Sequence, residues 1–433
     1  MKKRVIAILI TALMVPGLAG ASERLTLGDA MTLALERNPD IQVARGEEQI
    51  SHNRVNIGNA GLLPTVSLVG TASWQDNEQP SQTSAGALSE YTSNSAKLQA
   101  SYTLFDGFGT IATFRKLKSG GRLGSLLARR DIENLLLELS DAYYRAVKAS
   151  EDLSIAREAL DISDDRLRRA RLRAEYGQAN AVDLLSAEVD ANADSIAVRN
   201  ARLEYASACR SFNALLDRDL ETSVELDPDF EFDARLAFDD VMTQARKEYA
   251  GYLIALENVR QAGFDLALAR SDYFPEVDVQ FGYGYSQTTE GFAIGTMDDP
   301  SEGMSASLTM SYPIFSGWKR SIAGQNARIA KQNSELLVRK AELELERLVG
   351  DTWESYQTSL GNLEFQQTAL KTAELNFERN RELFTLGQVT TTAFREAQIN
   401  LVRSRRDIAQ ARYDARMLEL QLLRLAGLLV ISR

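Results

Sequence analysis

The sequence predicts an α+β membrane protein, internally duplicated, in which transmembrane strands run directly into very long helices. Three observations carry this prediction. The stretch Ser101 to Gly107, SYTLFDG, returns 210 residues later as SYPIFSG at Ser311 to Gly317. Each copy ends a segment of alternating polarity. Each also opens onto a charged, proline-free segment, Thr110 to about Tyr176 and Lys319 to about Phe384. One structural unit is therefore present twice.

Residues 1–21 read as a secretory signal: Lys2, Lys3 and Arg4, an apolar run from Val5 to Val15, and the small residues of Leu18-Ala19-Gly20-Ala21. Its removal takes three cations and moves the formal charge from −11 to −14. So acidic an exported chain is a poor nucleic-acid binder. The remainder divides into repeat 1 at 22–219, an acidic linker at 220–235 and repeat 2 at 236–433. No later stretch is a continuous apolar span, but a transmembrane strand needs only ~10 alternating residues, a signal that hydropathy averages away.

Leu25 to Arg37 predicts a short helix. Asn38-Pro39 restarts the chain with a capping residue and a proline at the first helical position, and a second helix is expected to about Asn59, before Gly61 and Pro64. The matching part of the second copy runs from Leu236 to Pro275.

From Thr65 to Trp74 polarity alternates with period two: Val66, Leu68, Gly70, Ala72 and Trp74 against Thr65, Ser67, Val69, Thr71 and Ser73. Ala96 to Leu104, Val277 to Tyr285 and Met304 to Tyr312 do the same. A soluble antiparallel sheet on a helix would also alternate. Three features favour an outer-membrane barrel instead. The polar faces are almost wholly Ser, Thr, Gln or Gly, the aromatics Trp74, Tyr102, Tyr285 and Tyr312 sit toward predicted strand ends, and polar loops of about twenty residues (Gln75 to Ser95, Gln287 to Gly303) join the hairpins. Four strands cannot close a barrel, and an open edge in lipid leaves backbone groups unpaired. The barrel must be shared between chains, eight strands from two copies or twelve from three.

The proline-free segments predict helices of ~100 Å at ~1.5 Å per residue. A seven-residue register holds in both: Leu139, Ala146, Leu153, Leu160, Leu167 and Ala174 stand 210 residues before Val349, Tyr356, Leu363, Leu370, Phe377 and Phe384. Beside the first runs a small-residue stripe, Ala142, Ala149, Ala156, Ser163 and Ala170, which admits a close neighbour. Each long helix stops at a Gly-Gln turn, Gly177-Gln178 or Gly387-Gln388. The chain then returns on heptads of its own, through Leu184 to Phe212 and Phe394 to Leu422.

The residues offer no catalytic, cofactor or metal site. One histidine, His52, and one cysteine, Cys209, supply neither a Cys/His metal cluster nor a histidine-dependent triad. The glycines of Gly107-Phe108-Gly109 and Gly282-Tyr283-Gly284 lack the strand-to-helix context of a phosphate loop.

The opening motif ALxxNPxI (Ala34 to Ile41), the LLP before the first strand, the FxG corners at Phe105 and Phe315 and the Gly-turn helices, all in order and duplicated, resemble the TolC family of outer-membrane channel proteins. The resemblance covers essentially the whole chain after residue 21. It implies a homotrimer whose twelve-stranded transmembrane β-barrel, four strands per chain, continues as a long α-helical barrel through the periplasm. It also implies helical tips that close the tunnel and dock a periplasmic adaptor (membrane fusion) protein coupled to an inner-membrane ABC or proton-driven transporter. By the same resemblance Glu396 matches one acidic tip position and Ala393 stands at the other. Asp183 matches an acidic tip residue of the first copy, but Val389 occupies its usual basic partner's place, leaving Arg395 as the substitute. Gly177, Gln178, Gly387 and Gln388 are the adaptor-docking candidates, and Trp74, Tyr102, Tyr285 and Tyr312 the membrane-interface aromatics. The expected function is the outer-membrane exit duct of type I protein secretion, with small-molecule efflux as the alternative. From another class, a periplasmic coiled-coil structural protein fits the helices alone.

Overall fold

The computed structural model describes residues 24–79, 87–176, 181–228, 232, 236–292 and 295–429. The expected signal at 1–21 and part of the 220–235 linker lie outside the described residues. The chain opens with β1 (Arg24–Leu25), α1 (Leu27–Arg37) and α2 (Pro39–Asn53). Thr26 and Asp29 cap α1 reciprocally. Asn38 does double duty at the α2 start. Its side-chain oxygen accepts from the Asp40 and Ile41 N–H groups at 2.8 and 3.2 Å, while its amide donates to the Leu215 carbonyl at 2.8 Å. The second helix stops at Asn53, short of the expected Asn59, because Asn56 turns the chain by accepting from the Asn59 N–H.

Next come β2 (Thr65–Gln79) and β3 (Ala87–Asp106), then α3 (Gly109–Glu175) and α4 (Ala181–Leu215). After β4 (Glu225–Leu226), α5 (Phe238–Glu248) and α6 (Ala250–Ser271), the pattern returns as β5 (Glu276–Phe292), β6 (Gly295–Ser311), α7 (Lys319–Thr385) and α8 (Thr391–Leu425). Both long helices have 67 residues and both return helices 35, at the 210-residue offset.

The four long strands form one antiparallel sheet in the order β2-β3-β5-β6. Register sets Leu68 beside Leu98, Leu98 beside Tyr283 and Tyr283 beside Met304, so the apolar residues of all four strands share one face. That face is bare: Leu68, Met304 and Leu308 are each more than two-thirds exposed. On β2 it runs from Val66 to Trp74, about 26 Å along the strand, the extent needed to cross a ~25 Å apolar band.

The strands are longer than the sequence suggested, and most of both expected twenty-residue loops is ladder. Trp74 and Tyr285 therefore lie within strands, and Tyr312 one residue beyond β6. The cause is physical. Alternation records a contrast between an apolar and a polar face, so it fades where both faces are polar although backbone pairing continues.

Each strand-to-helix corner carries two successive left-handed residues, Gly107-Phe108 at φ 66° and 68° and Gly317-Trp318 at 60° and 66°. Phe and Trp pay about 1 kcal/mol for that conformation. Phe108 is held there by edge-on contacts with Phe105 and Phe274, and Trp318 by Phe315.

The heptad residues Leu139, Ala146, Leu153, Val349, Tyr356 and Leu363 are all buried, as coiled-coil spacing requires. Where the helices meet the short elements, a core of Ala30, Ala34, Leu139, Tyr143 and Phe212 closes beneath the parallel β1–β4 pair. The Tyr143 hydroxyl donates to the Leu25 carbonyl and accepts from the Asp227 N–H, and burial pushes its pKa up to about 12.

Lateral order is α2-α3-α6-α7 near the sheet and α4-α3-α8-α7 farther away. One edge of the chain is thus β2, α2 and α4, and the other is β6 and α7. Both edges carry exposed apolar residues at sevenfold spacing: Val43, Ile50 and Ile57; Val189, Ile196 and Leu203; Ile322, Ile329, Leu336 and Leu343. No described helix is long and apolar enough to cross a membrane.

Candidate functional site

The helical tip gathers a cluster of charged residues that face one another across α3, α4 and α8. α7 ends because Gly387 adopts φ 71°, letting the Gln388 N–H reach the Leu383 carbonyl at 2.8 Å and the Gly387 N–H the Phe384 carbonyl at 3.1 Å. Thr390 caps α8 by accepting from the Ala393 N–H. Phe394 then stacks on Phe384 with ring centroids 4.7 Å apart, fixing the hairpin.

This start sets the α8 register. Thr391, Arg395 and Gln398 fall on one face by their four- and three-residue spacing, and on α4 Asp183, Asp190 and Asp194 do likewise. The two faces meet. Arg395 grips Asp194 with both terminal nitrogens, at 2.6 and 2.9 Å, and its Nε lies 3.5 Å from Asp190. From α3, Arg166 pairs with Asp190, and the Ser163 hydroxyl donates to Asp194. The Gln398 amide donates to the Ala159 carbonyl at 2.9 Å, an approach that the small-residue stripe permits. These groups are largely out of water. Burial, then the Arg395 charge, push the Arg166 guanidinium below its ordinary value, while Asp194 pulls it back. A guanidinium stays charged regardless.

The expected substitution of Arg395 as partner of Asp183 is corrected here. Asp183 accepts from the Thr391 hydroxyl at 3.2 Å, while Arg395 is taken up by Asp190 and Asp194, two and three turns farther from the tip. Sequence reasoning missed both acids. The available signal was their shared face with Asp183.

Glu396 is exposed and lies with Asp183 on one groove of about 680 Å³ between α4 and α8, so the two candidate constriction residues are neighbours. Gly387 and Gln388 are exposed at the turn; Gly177 and Gln178 lie outside the described residues. Of the interface aromatics, Trp74, Tyr285 and Tyr312 are exposed and Tyr102 is half-buried. Among the described residues no group of three or more His, Cys, Asp or Glu could hold a metal ion.

The chain is similar to the outer membrane efflux protein BepC of Brucella suis, at 20% identity over 97% of this chain and 89% of that one. The alkaline protease secretion protein AprF of Pseudomonas aeruginosa is 23% identical over 90% and 82%. The crystal structure of the Campylobacter jejuni CmeC outer membrane channel superimposes with a TM-score of 0.79 at 16% identity, over 93% and 86%, and shares the fold. Residues 30–217 and 254–428 match the family model described as outer membrane efflux protein, and the chain belongs to that family, the TolC family.

Proposed function

We propose that three copies assemble into one duct, a twelve-stranded barrel through the outer membrane continuous with a helical tunnel through the periplasm. The observation that carries this is the pair of exposed edges. An exposed ladder edge and a heptad of apolar residues run down each side of the chain, and both are satisfied when β6 and α7 of one copy meet β2, α2 and α4 of the next. The two repeats, 22–219 and 236–433, each supply one hairpin and one long coiled pair, with 220–235 joining them. The work done is passage, and no covalent step is required of any residue.

Cargo is handed on by an inner-membrane transporter through an adaptor. Type I secretion is the finer assignment we propose, favoured by the name of the AprF relative, an alkaline protease secretion protein. Small-molecule efflux is the second reading, favoured by the name of the BepC relative. Adaptor docking falls at the tips, Gly177, Gln178, Gly387 and Gln388. A Cβ at Gly387 meets no atom within 4 Å, so Gly387→Trp costs the fold only about 1 kcal/mol of backbone strain yet puts bulk on that surface. Loss of adaptor crosslinking in intact cells is the expected result; unimpaired crosslinking would move the docking site elsewhere.

Glu396, with Asp183 beside it, forms an anionic constriction at the tip. Purified protein in planar bilayers is expected to give small, cation-favouring channels, and Glu396→Gln to lower that preference. Selectivity unchanged by Glu396→Gln would reject the constriction. A salt-extractable periplasmic protein that forms no channel would reject the duct and leave the coiled-coil structural reading.

A further inference from the structure

All four strands of the sheet contain a single lysine or arginine, Lys97. It stands opposite Val69 on β2 and Gly284 on β5, and Gly284 stands opposite Gly303 on β6. These positions belong to the polar face, with Ser95, Gln99, Gln280, Ser305 and Ser307. The repeat does not demand a cation: Ser307 occupies the position 210 residues on.

Room for the side chain is built into the next strand. A Cβ added at Gly282 would collide with Lys97 Cε, and one at Gly284 would sit 3.2 Å from Lys97 Cβ, so both glycines let the lysine lie flat across β5. A Cβ at Gly303 would meet nothing within 4 Å, leaving bare wall beside them. No carboxylate of the described residues pairs with the ammonium. On the same face Asp299 lies four residues along β6 and Asp278 six along β5, displaced by roughly 13 and 20 Å along the strands, and Asp278 already accepts from Thr103 at 2.7 Å. Lys97 is therefore a half-covered cation with an open, hydroxyl-fringed floor of glycine.

We propose that Lys97 and this floor form a binding station for oxyanions, carboxylate, sulfate or phosphate groups, inside the barrel, repeated once per copy. The proposal rests on the trimeric duct, which turns the polar face inward. In that duct the lysines point into a lumen whose backbone radius is about 12 Å for twelve tilted strands. At about 10 mM salt the Debye length of ~30 Å exceeds the lumen's width, and the three charges act on its whole cross-section; at 1 M it is ~3 Å and they act only on contact. Anionic groups entering from the membrane end are held there, at the opposite end from Glu396.

The probe is a sulfated cyclodextrin added to the barrel side of single channels in planar bilayers. At about 10 mM salt it is expected to block the wild type, with block lost at 1 M. In Lys97→Gln its affinity should fall about tenfold or more, and Lys97→Arg should retain it. Channels of normal conductance in which Lys97→Gln is blocked as tightly as wild type overturn the station and leave the duct intact. If Lys97→Gln fails to assemble, the wild type decides, because absence of block at low salt is equally fatal. Heat-resistant trimers that conduct nothing would remove the duct itself, and the station with it.

Discussion

Replacing Arg395 by alanine is expected to loosen the helical tip and raise the resting conductance of the reconstituted channel severalfold. The guanidinium supplies both bonds to Asp194 and the closer approach to Asp190, and it ties α8 to α4 across a site with little water. Its removal leaves Asp190 to Arg166 and Asp194 to the Ser163 hydroxyl alone, and breaking such a pair costs about 3–5 kcal/mol. In the proposed duct, a tip closed by contacts of this size opens detectably when one is lost in every copy. Arg395→Lys keeps the charge but not the two-pronged grip and should fall between. Single-channel recording of the three proteins is the check; conductance identical in all three would mean that closure does not pass through this residue.

A charge placed on an apolar edge is expected to abolish assembly. Ile329→Glu on α7 and Ile50→Glu on α2 each put a carboxylate into a stripe whose other members bury about 1.5–3 kcal/mol of side chain apiece when covered. In the proposed trimer the loss is multiplied by three interfaces. Electrophoresis without heating should show the trimer band of the wild type replaced by monomer, whereas Ile329→Ala should weaken the band without removing it. A normal trimer in both glutamate variants would show that these stripes face solvent in the assembly.

What the sequence made legible follows from what is local. The 67-residue helices, their buried heptads through Leu139 and Val349, the Asn38 cap and the Gly387 stop all depend on residues within a few turns, and each stands close to its expected place. Strand length was under-read because alternation ends with the apolar band. The edge stripes repeat every seven residues and were there to be seen, but a helix with two apolar stripes yields only the stronger to a search for one register. The grip of Arg395 on Asp194 joins residues 201 apart and had no local signature. Glu257 is similar. Burial alone would push its carboxyl up, but hydrogen bonds from Arg122, Ser119 and Arg260 outweigh burial and hold it below its ordinary value, locking α6 to α3. Nothing in the pattern around Glu257 announces those partners.

The two strand-to-helix corners share a backbone conformation but not their surroundings. A Cβ at Gly107 would run into the Ser271 carbonyl and Phe274, whereas one at Gly317 would meet nothing within 4 Å. The first root is wedged against the end of α6, whereas the second is tied to it through Arg320, whose guanidinium donates to the Asp272 carbonyl at 3.1 Å and lies over the Tyr273 ring. A side-chain tether yields more readily than a backbone wedge, and on a helix this long small angles matter: a turn of about 2° at Gly317 would displace the far end, some 100 Å away, by roughly 3.5 Å.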